Sequence, residues 1–343
     1  MHKYIHILLN FCKVNCLYNG SCDKISFKEN IFGIYGRFGI MNYSNYEDRT
    51  PDHQYKNLIR EVLEKGTWSK GTMVDKDGNE VRTIDYMGAT PLRFNVLKNG
   101  APIITERNIS SFYKSAIGEL FGFINGARTQ AQLEEFGCRW WKAWCTEEKC
   151  AKRGLETGDL GPGSYGVAFA NFPTADGFTY NQFEEIVKQM KERPELKTHV
   201  ISPWIPYYTI RNSDHQQKVV VCPCHGWIHF RILDNKLNML MWQRSGDVLI
   251  GIPSNFAQYS ALFLAMAETL GLEPNEYIHE ISDAHIFEDQ LPWVDEILSR
   301  EDRAFPTLKL VKKHNRISDY RKEDFELEDY NAHGAIKGIP VGI

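Results

Sequence analysis

The stretch 218–259 constrains this chain more than any other, because two runs of alternating apolar and polar residues flank a short polar turn there. His225 to Leu233 alternates, Asp234-Asn235-Lys236 interrupts, and Leu237 to Trp242 alternates again. That pattern predicts a β-hairpin. A hairpin returns the end of its second strand to the start of its first. It therefore predicts Arg244 and Ser245, in Gln243-Arg244-Ser245-Gly246-Asp247, beside Cys224 in Pro223-Cys224-His225. A thiol next to a guanidinium has the makings of a nucleophile, since a neighbouring cation favours the thiolate.

Composition narrows the rest. A chain of 343 residues, 43% hydrophobic and 24% charged, can bury a large core. The net charge of −4 gives no general pull toward nucleic acid or an anionic membrane, so an anionic ligand needs a local Arg/Lys cluster. No run approaches the roughly 20 apolar residues of a membrane-spanning helix. Cys12, Cys16, Cys22, Cys138, Cys145, Cys150, Cys222 and Cys224 form no CxxC pair, which points to a reducing cytoplasm rather than a disulfide framework. Cys222 and Cys224 lack a second ligand pair at zinc spacing, so no metal site is expected.

Along the chain, residues 1–40 read as an extension outside the fold, with Met41 opening the lead-in to a first helix over 55–65 that stops at Gly66. Residues 66–95 read as a loop and hairpin turning at Asp75-Lys76-Asp77-Gly78, then a strand ending at Arg93-Phe94-Asn95. The helix over 111–125 is strongly apolar yet carries Glu119, which is costly to bury unless hydrogen-bonded or functional. A place on a solvated stripe is the plain alternative. Further helices are expected over 179–193 and over 255–271, the latter apolar nearly all round and closed by Gly271. Strands are expected over 281–287 and 307–312.

Gln243-Arg244-Ser245-Gly246-Asp247, followed by Gly251-Ile252-Pro253-Ser254-Asn255 and preceded by Pro223-Cys224-His225, resembles the active-site signature of the thymidylate synthases. The resemblance covers about residues 52–343. It implies an α/β (α+β) fold with a large mixed β-sheet flanked by helices, one catalytic domain over 41–343, and a homodimer joined through a sheet face. It implies reductive methylation of deoxyuridylate (dUMP) with 5,10-methylenetetrahydrofolate as co-substrate, no metal, and no nucleic-acid or membrane partner. Cys224 would attack pyrimidine C6. Arg244 would serve thiolate and phosphate, and Glu119, Tyr165, His225 and Asp247 would complete the catalytic set. Arg82, Lys197, Ser245, Asn255 and His285 would bind the nucleotide. Trp141, Trp144, Asp247, Ile250, Gly251 and the terminal Ile343 would hold the folate. An asparagine at 255 suits the O4 and N3–H of uracil.

Several positions depart from the family pattern. The glycine-rich loop after its phosphate-binding arginine reads Arg82-Thr83-Ile84-Asp85. The two arginines expected before the Trp204 strand are Lys197 and Thr198, the tyrosine two residues after the sugar-contact histidine is Phe287, and the phenylalanine before Asn255 is Ser254. These keep two other readings open: a pyrimidine-nucleotide C5-hydroxymethylase, in which water quenches the same intermediate, and a non-catalytic RNA-binding regulator. The intact thiol–guanidinium pair and the absence of a basic surplus speak against the regulator.

Overall fold

A computed structural model describes residues 41–71, 74 and 78–342. The expected extension 1–40, the turn residues 75–77 and Ile343 lie outside the described residues.

Helix α1, Gln54–Lys65, turns Tyr55, Leu58, Ile59 and Val62 inward, the spacing read from the sequence. Strands β1 (Thr67–Ser69) and β2 (Thr83–Met87) then pair antiparallel. The chain from 83 to 95 is not one strand. Gly88, at φ 71°, breaks it, and β3 (Leu92–Phe94) pairs farther along the same neighbour. Helix α2, Tyr113–Ile124, is buried on nearly every side, with Glu119 7% exposed, so the solvated-stripe alternative fails. Helix α3 is Gln182–Glu192, shorter than expected at its start because Asn181 caps it by accepting from Glu184 N–H.

The sheet is completed by β4 (Val200–Ile201), β5 (Trp227–Leu233), β6 (Lys236–Asp247) and β7 (Glu273–Phe287). Its order is β1-β2-β7-β6-β5-β4, with β3 also on β7. The hairpin β5–β6 pairs Trp227 with Trp242 and Leu233 with Lys236. Its two-residue turn holds Asp234 and Asn235 at φ 50° and 59°, the left-handed pair that matches the twist of a tight hairpin. Strand β6 runs on through Gln243 to Asp247, beyond the Trp242 limit of the alternation, because that stretch pairs parallel with β7, Gln243 opposite Ile281 and Asp247 opposite His285.

Parallel neighbours need a crossover. Helix α4, Gly251–Leu270, supplies it, with all but Gly251, Ser254 and Glu268 buried and Gly271 closing it at φ 67°. It begins four residues before the expected Asn255. The Asp247 carboxylate explains this: Oδ1 accepts from the N–H groups of Leu249 and Ile250, 3.0 Å each, and turns the chain into the helix. The result is a mixed α/β structure with a large mixed sheet flanked by helices. It carries the C-terminal ends of β6 and β7 and the start of α4 to one place.

Candidate active site

The hairpin does what the alternation predicts. Cys224 C=O accepts from Arg244 N–H at 2.7 Å and from Ser245 N–H at 3.3 Å, zipping the start of β5 to the end of β6. The Arg244 side chain folds back over that loop: Nε donates to Pro223 C=O at 3.1 Å, and Nη2 reaches Cys222 C=O at 3.3 Å and Cys224 Sγ at 3.2 Å. Cys224 N–H donates to Tyr165 Oη at 2.6 Å. Gly226 makes the turn possible. Its φ is +98°, and a Cβ there would stand 2.8 Å from Phe169 Cζ and 3.1 Å from Tyr259 Oη.

The net effect on the thiol differs from the sequence expectation. Burial pushes Cys224 above the usual thiol range, and Arg244, then Tyr165, only pull against it. Low-dielectric surroundings penalise the thiolate more than one guanidinium stabilises it. The arrangement holds a protonated thiol beside the cation that makes ionisation attainable. Alkylation of Cys224 by iodoacetamide should therefore rise with pH through a midpoint above the ordinary thiol value, and Arg244→Ala should move that midpoint further up. An unchanged midpoint would show that the guanidinium does not act on the sulfur.

His225 donates or accepts through Nδ1 with Tyr259 Oη at 2.6 Å, and its ring stacks on Tyr165 at 4.7 Å. Burial drives it down to about 3, so it is neutral at physiological pH and serves as a hydrogen-bonding group rather than an imidazolium acid.

Glu119 faces this cluster from α2. Oε1 accepts from the indole N–H groups of Trp140, at 2.7 Å, and Trp141, at 2.5 Å. Oε2 accepts from Gln258 Nε2. Burial raises its pKa against these donors. A carboxyl raised this way holds its proton more readily than an exposed one, which suits it to proton exchange. Trp141 is buried and Trp144 half-buried, but their rings lie 5.9 Å apart at 55°, tilted rather than coplanar.

Asn255, 6% exposed on the first turns of α4, accepts at Oδ1 from Gln243 Nε2 (3.0 Å) and donates through Nδ2 to Gln258 Oε1 (2.9 Å). Asp247 Oδ2 accepts from Gln290 Nε2 at 3.0 Å, and Gln290 also reaches Pro340 C=O at 3.1 Å, so one amide joins the site to the C-terminal segment. With Leu249 and Ile250 on Oδ1, only one lone-pair direction of Asp247 is left for a ligand. Ile250 and Gly251 form the entry to α4 beside it. His285 lies opposite Asp247 in register on one side and Asp85 on the other. A polar atom from each of His285, Asp85 and Asp283 falls within 4.8 Å of the others, with Asp85 Oδ2 already accepting from Thr83 at 3.0 Å.

Two expected nucleotide ligands stand apart from this cluster. Arg82 is exposed, donates from Nε to Glu288 at 3.0 Å, and lies 4.6 Å over the Trp68 ring. Lys197 is exposed ahead of the edge strand β4. Sequence reasoning passed over Trp140, Gln258, Tyr259, Gln290, Gln243's amide role and His279. The available signal was a polar residue where the pattern demands an apolar one: Gln258 inside an apolar helix, His279 and Gln243 at core positions of alternating strands.

The family model described as thymidylate synthase matches residues 53–341. It spans the sheet, the crossover helix and every side chain of the cluster just described, and this chain therefore belongs to the thymidylate synthase family.

Proposed function

We propose that the protein is a thymidylate synthase, converting deoxyuridylate to thymidylate with methylenetetrahydrofolate as donor of both carbon and hydride. The observation that carries this reading is the 3.2 Å contact from Arg244 Nη2 to Cys224 Sγ, with the buried Asn255 amide, tied through Gln243 to the same strand as Arg244, able to read a pyrimidine edge. An anionic nucleotide phosphate approaching Arg244 meets a planar fork already held by three carbonyl and sulfur contacts. The Cys224 proton passes to water, the sulfur bonds to C6, and the electrons of the C5–C6 double bond move through the ring onto O4. C5 thereby becomes nucleophilic and takes the one-carbon unit. Asn255 holds the base edge, neutral His225 supports the oxygen that gains charge, and Glu119 is the group positioned to exchange protons at the ring. Ser245 assists the phosphate, His285 meets the sugar, and Trp141, Trp144, Asp247, Ile250 and Gly251 form the folate side. Arg82 joins the phosphate only by leaving Glu288, and Lys197 acts across a homodimer formed through the outer sheet face, where Val200 is 50% exposed.

Reduction in place of hydration requires a dry site. The buried Trp141 and the Gln290 link to Pro340 support the hydride outcome. Gln290→Leu should leave the C-terminal segment cut faster by carboxypeptidase and raise the folate KM about tenfold with a smaller change in kcat. An unaltered KM would detach that contact from folate binding. The polar Ser254 beside Asn255 favours the second reading, a C5-hydroxymethylase. One incubation with deoxyuridylate and methylenetetrahydrofolate separates them: thymidylate with dihydrofolate supports the synthase, and a hydroxymethyl nucleotide with tetrahydrofolate supports the hydroxymethylase. No nucleotide product contradicts both. A cytoplasmic setting fits the free thiols of Cys138, Cys145, Cys150, Cys222 and Cys224, and among the described residues no helix is long and apolar enough to cross a membrane.

A further inference from the structure

Behind Asn255 runs a line of buried side chains, each donating to the next. Tyr277 Oη meets His279 Nδ1 at 2.7 Å, and His279 Nε2 meets Gln243 Oε1 at 2.9 Å. Gln243 Nε2 donates to Asn255 Oδ1 at 3.0 Å, Asn255 Nδ2 to Gln258 Oε1 at 2.9 Å, and Gln258 Nε2 to Glu119. Tyr277, His279 and Gln258 are fully buried and Gln243 is 2% exposed.

The sense of the line is fixed at two backbone carbonyls, which can only accept. Gln258 Nε2 also donates to Ala116 C=O at 3.1 Å, and Gln243 Nε2 to Ser245 C=O at 2.9 Å. Both amides therefore turn their NH2 groups one way, and Asn255 between them has one orientation that satisfies both neighbours. Reversing it would set NH2 against NH2 at Gln243 and carbonyl against carbonyl at Gln258. Each buried mismatch leaves polar groups unpaired. The carbonyl of Gln243 in turn needs a donor. His279 supplies Nε2–H only as the tautomer whose Nδ1 accepts, which is the tautomer the Tyr277 hydroxyl selects.

We infer that Tyr277 and His279, neither among the residues proposed to touch the nucleotide, are positioning residues that hold the Gln243 amide together with Ser245 C=O, and through it the Asn255 amide, and so set which pyrimidine edge Asn255 reads. The inference rests on the proposed nucleotide chemistry. A base held by C6 against Cys224 presents its 3,4-edge in one sense. Uracil offers a donor at N3 and an acceptor at O4, and cytosine offers the reverse. An amide locked in one orientation matches one of them, here uracil; an amide free to turn matches either.

The test compares deoxyuridylate and deoxycytidylate, by calorimetric Kd and by kcat/KM, for the full-length protein and three variants. In His279→Leu the uracil preference should fall about tenfold, and in Tyr277→Phe about threefold, with the loss in KM more than kcat. His279→Gln, which returns an N–H donor near the imidazole Nε2 position, should restore most of it. Melting temperatures establish that the variants are folded; should His279→Leu fail to fold, Tyr277→Phe carries the comparison. Folded variants with the wild-type preference would overturn the inference and leave the enzymatic reading standing, whereas a wild-type preference for cytosine would overturn the inference together with the deoxyuridylate reading. A wild-type protein that binds neither nucleotide overturns both.

Discussion

Cys224→Ser should lower kcat/KM roughly ten-thousandfold or more, with the fold intact and deoxyuridylate still bound within about tenfold of wild type. The asymmetry follows from what each atom does. A serine oxygen can accept from Arg244 Nη2 and donate to Cys222 C=O as the sulfur does at 3.2 and 3.5 Å, so the loop survives. The phosphate would keep its guanidinium. Ionisation is what is lost: one cation does not offset burial even for a thiol, and a hydroxyl ionises far less readily than a thiol to begin with. Release of tritium from C5 of the nucleotide as water reads the steps from the Cys224 adduct through uptake of the one-carbon unit and loss of that hydrogen, ahead of any reduction. Release at more than one percent of the wild-type rate would remove Cys224 from the nucleophile's role.

Glu119→Gln comes second in size and acts on both activity and stability. The native carboxylate only accepts, taking two indole N–H groups and the Gln258 amide. An amide in its place must turn an NH2 group toward one of those donors. One buried donor then goes unpaired, at about 1–3 kcal/mol. The proton exchanged at position 119 disappears as well, for a further hundredfold to ten-thousandfold in kcat. The pH dependence has an unusual sign for a carboxylate. Burial raises the folded pKa, so the folded state holds its proton more tightly than the unfolded chain. Glu119 therefore contributes stability below its unfolded pKa and loses it as pH rises through the folded value. Glu119→Gln should flatten that part of the stability curve. Wild-type kcat and an unchanged curve would show that Glu119 is a structural acceptor only.

The parts of this molecule that were legible in its sequence are those set by local period. The hairpin was written in two-residue alternation, and its turn in two residues that tolerate positive φ. The crossover helix was written in an unbroken apolar run, and Glu119 in its conflict with one. Tertiary properties were not legible. The upward displacement of the Cys224 thiol comes from the protein packed around it, which no spacing reveals. Arg82 found Glu288 across 206 residues, a pairing no local pattern encodes. The polar line from Tyr277 to Glu119 draws on four separated segments, and only its misplaced polarity marks it beforehand. Helix α4 begins early for a similar reason, since Asp247 spends its carboxylate on the backbone rather than leaving all of it for a ligand.

The central claim is a covalent bond from Cys224 to pyrimidine C6, and a 5-fluoro nucleotide tests it directly. Fluorine at C5 cannot depart as a cation, so an adduct that has taken up the one-carbon unit cannot discharge. Intact-mass spectrometry of the protein with 5-fluorodeoxyuridylate and methylenetetrahydrofolate should show one added nucleotide and one added folate per chain, with the modified peptide mapping to Cys224. A protein mass that stays unchanged, or a modification on Cys222 instead, would contradict the account.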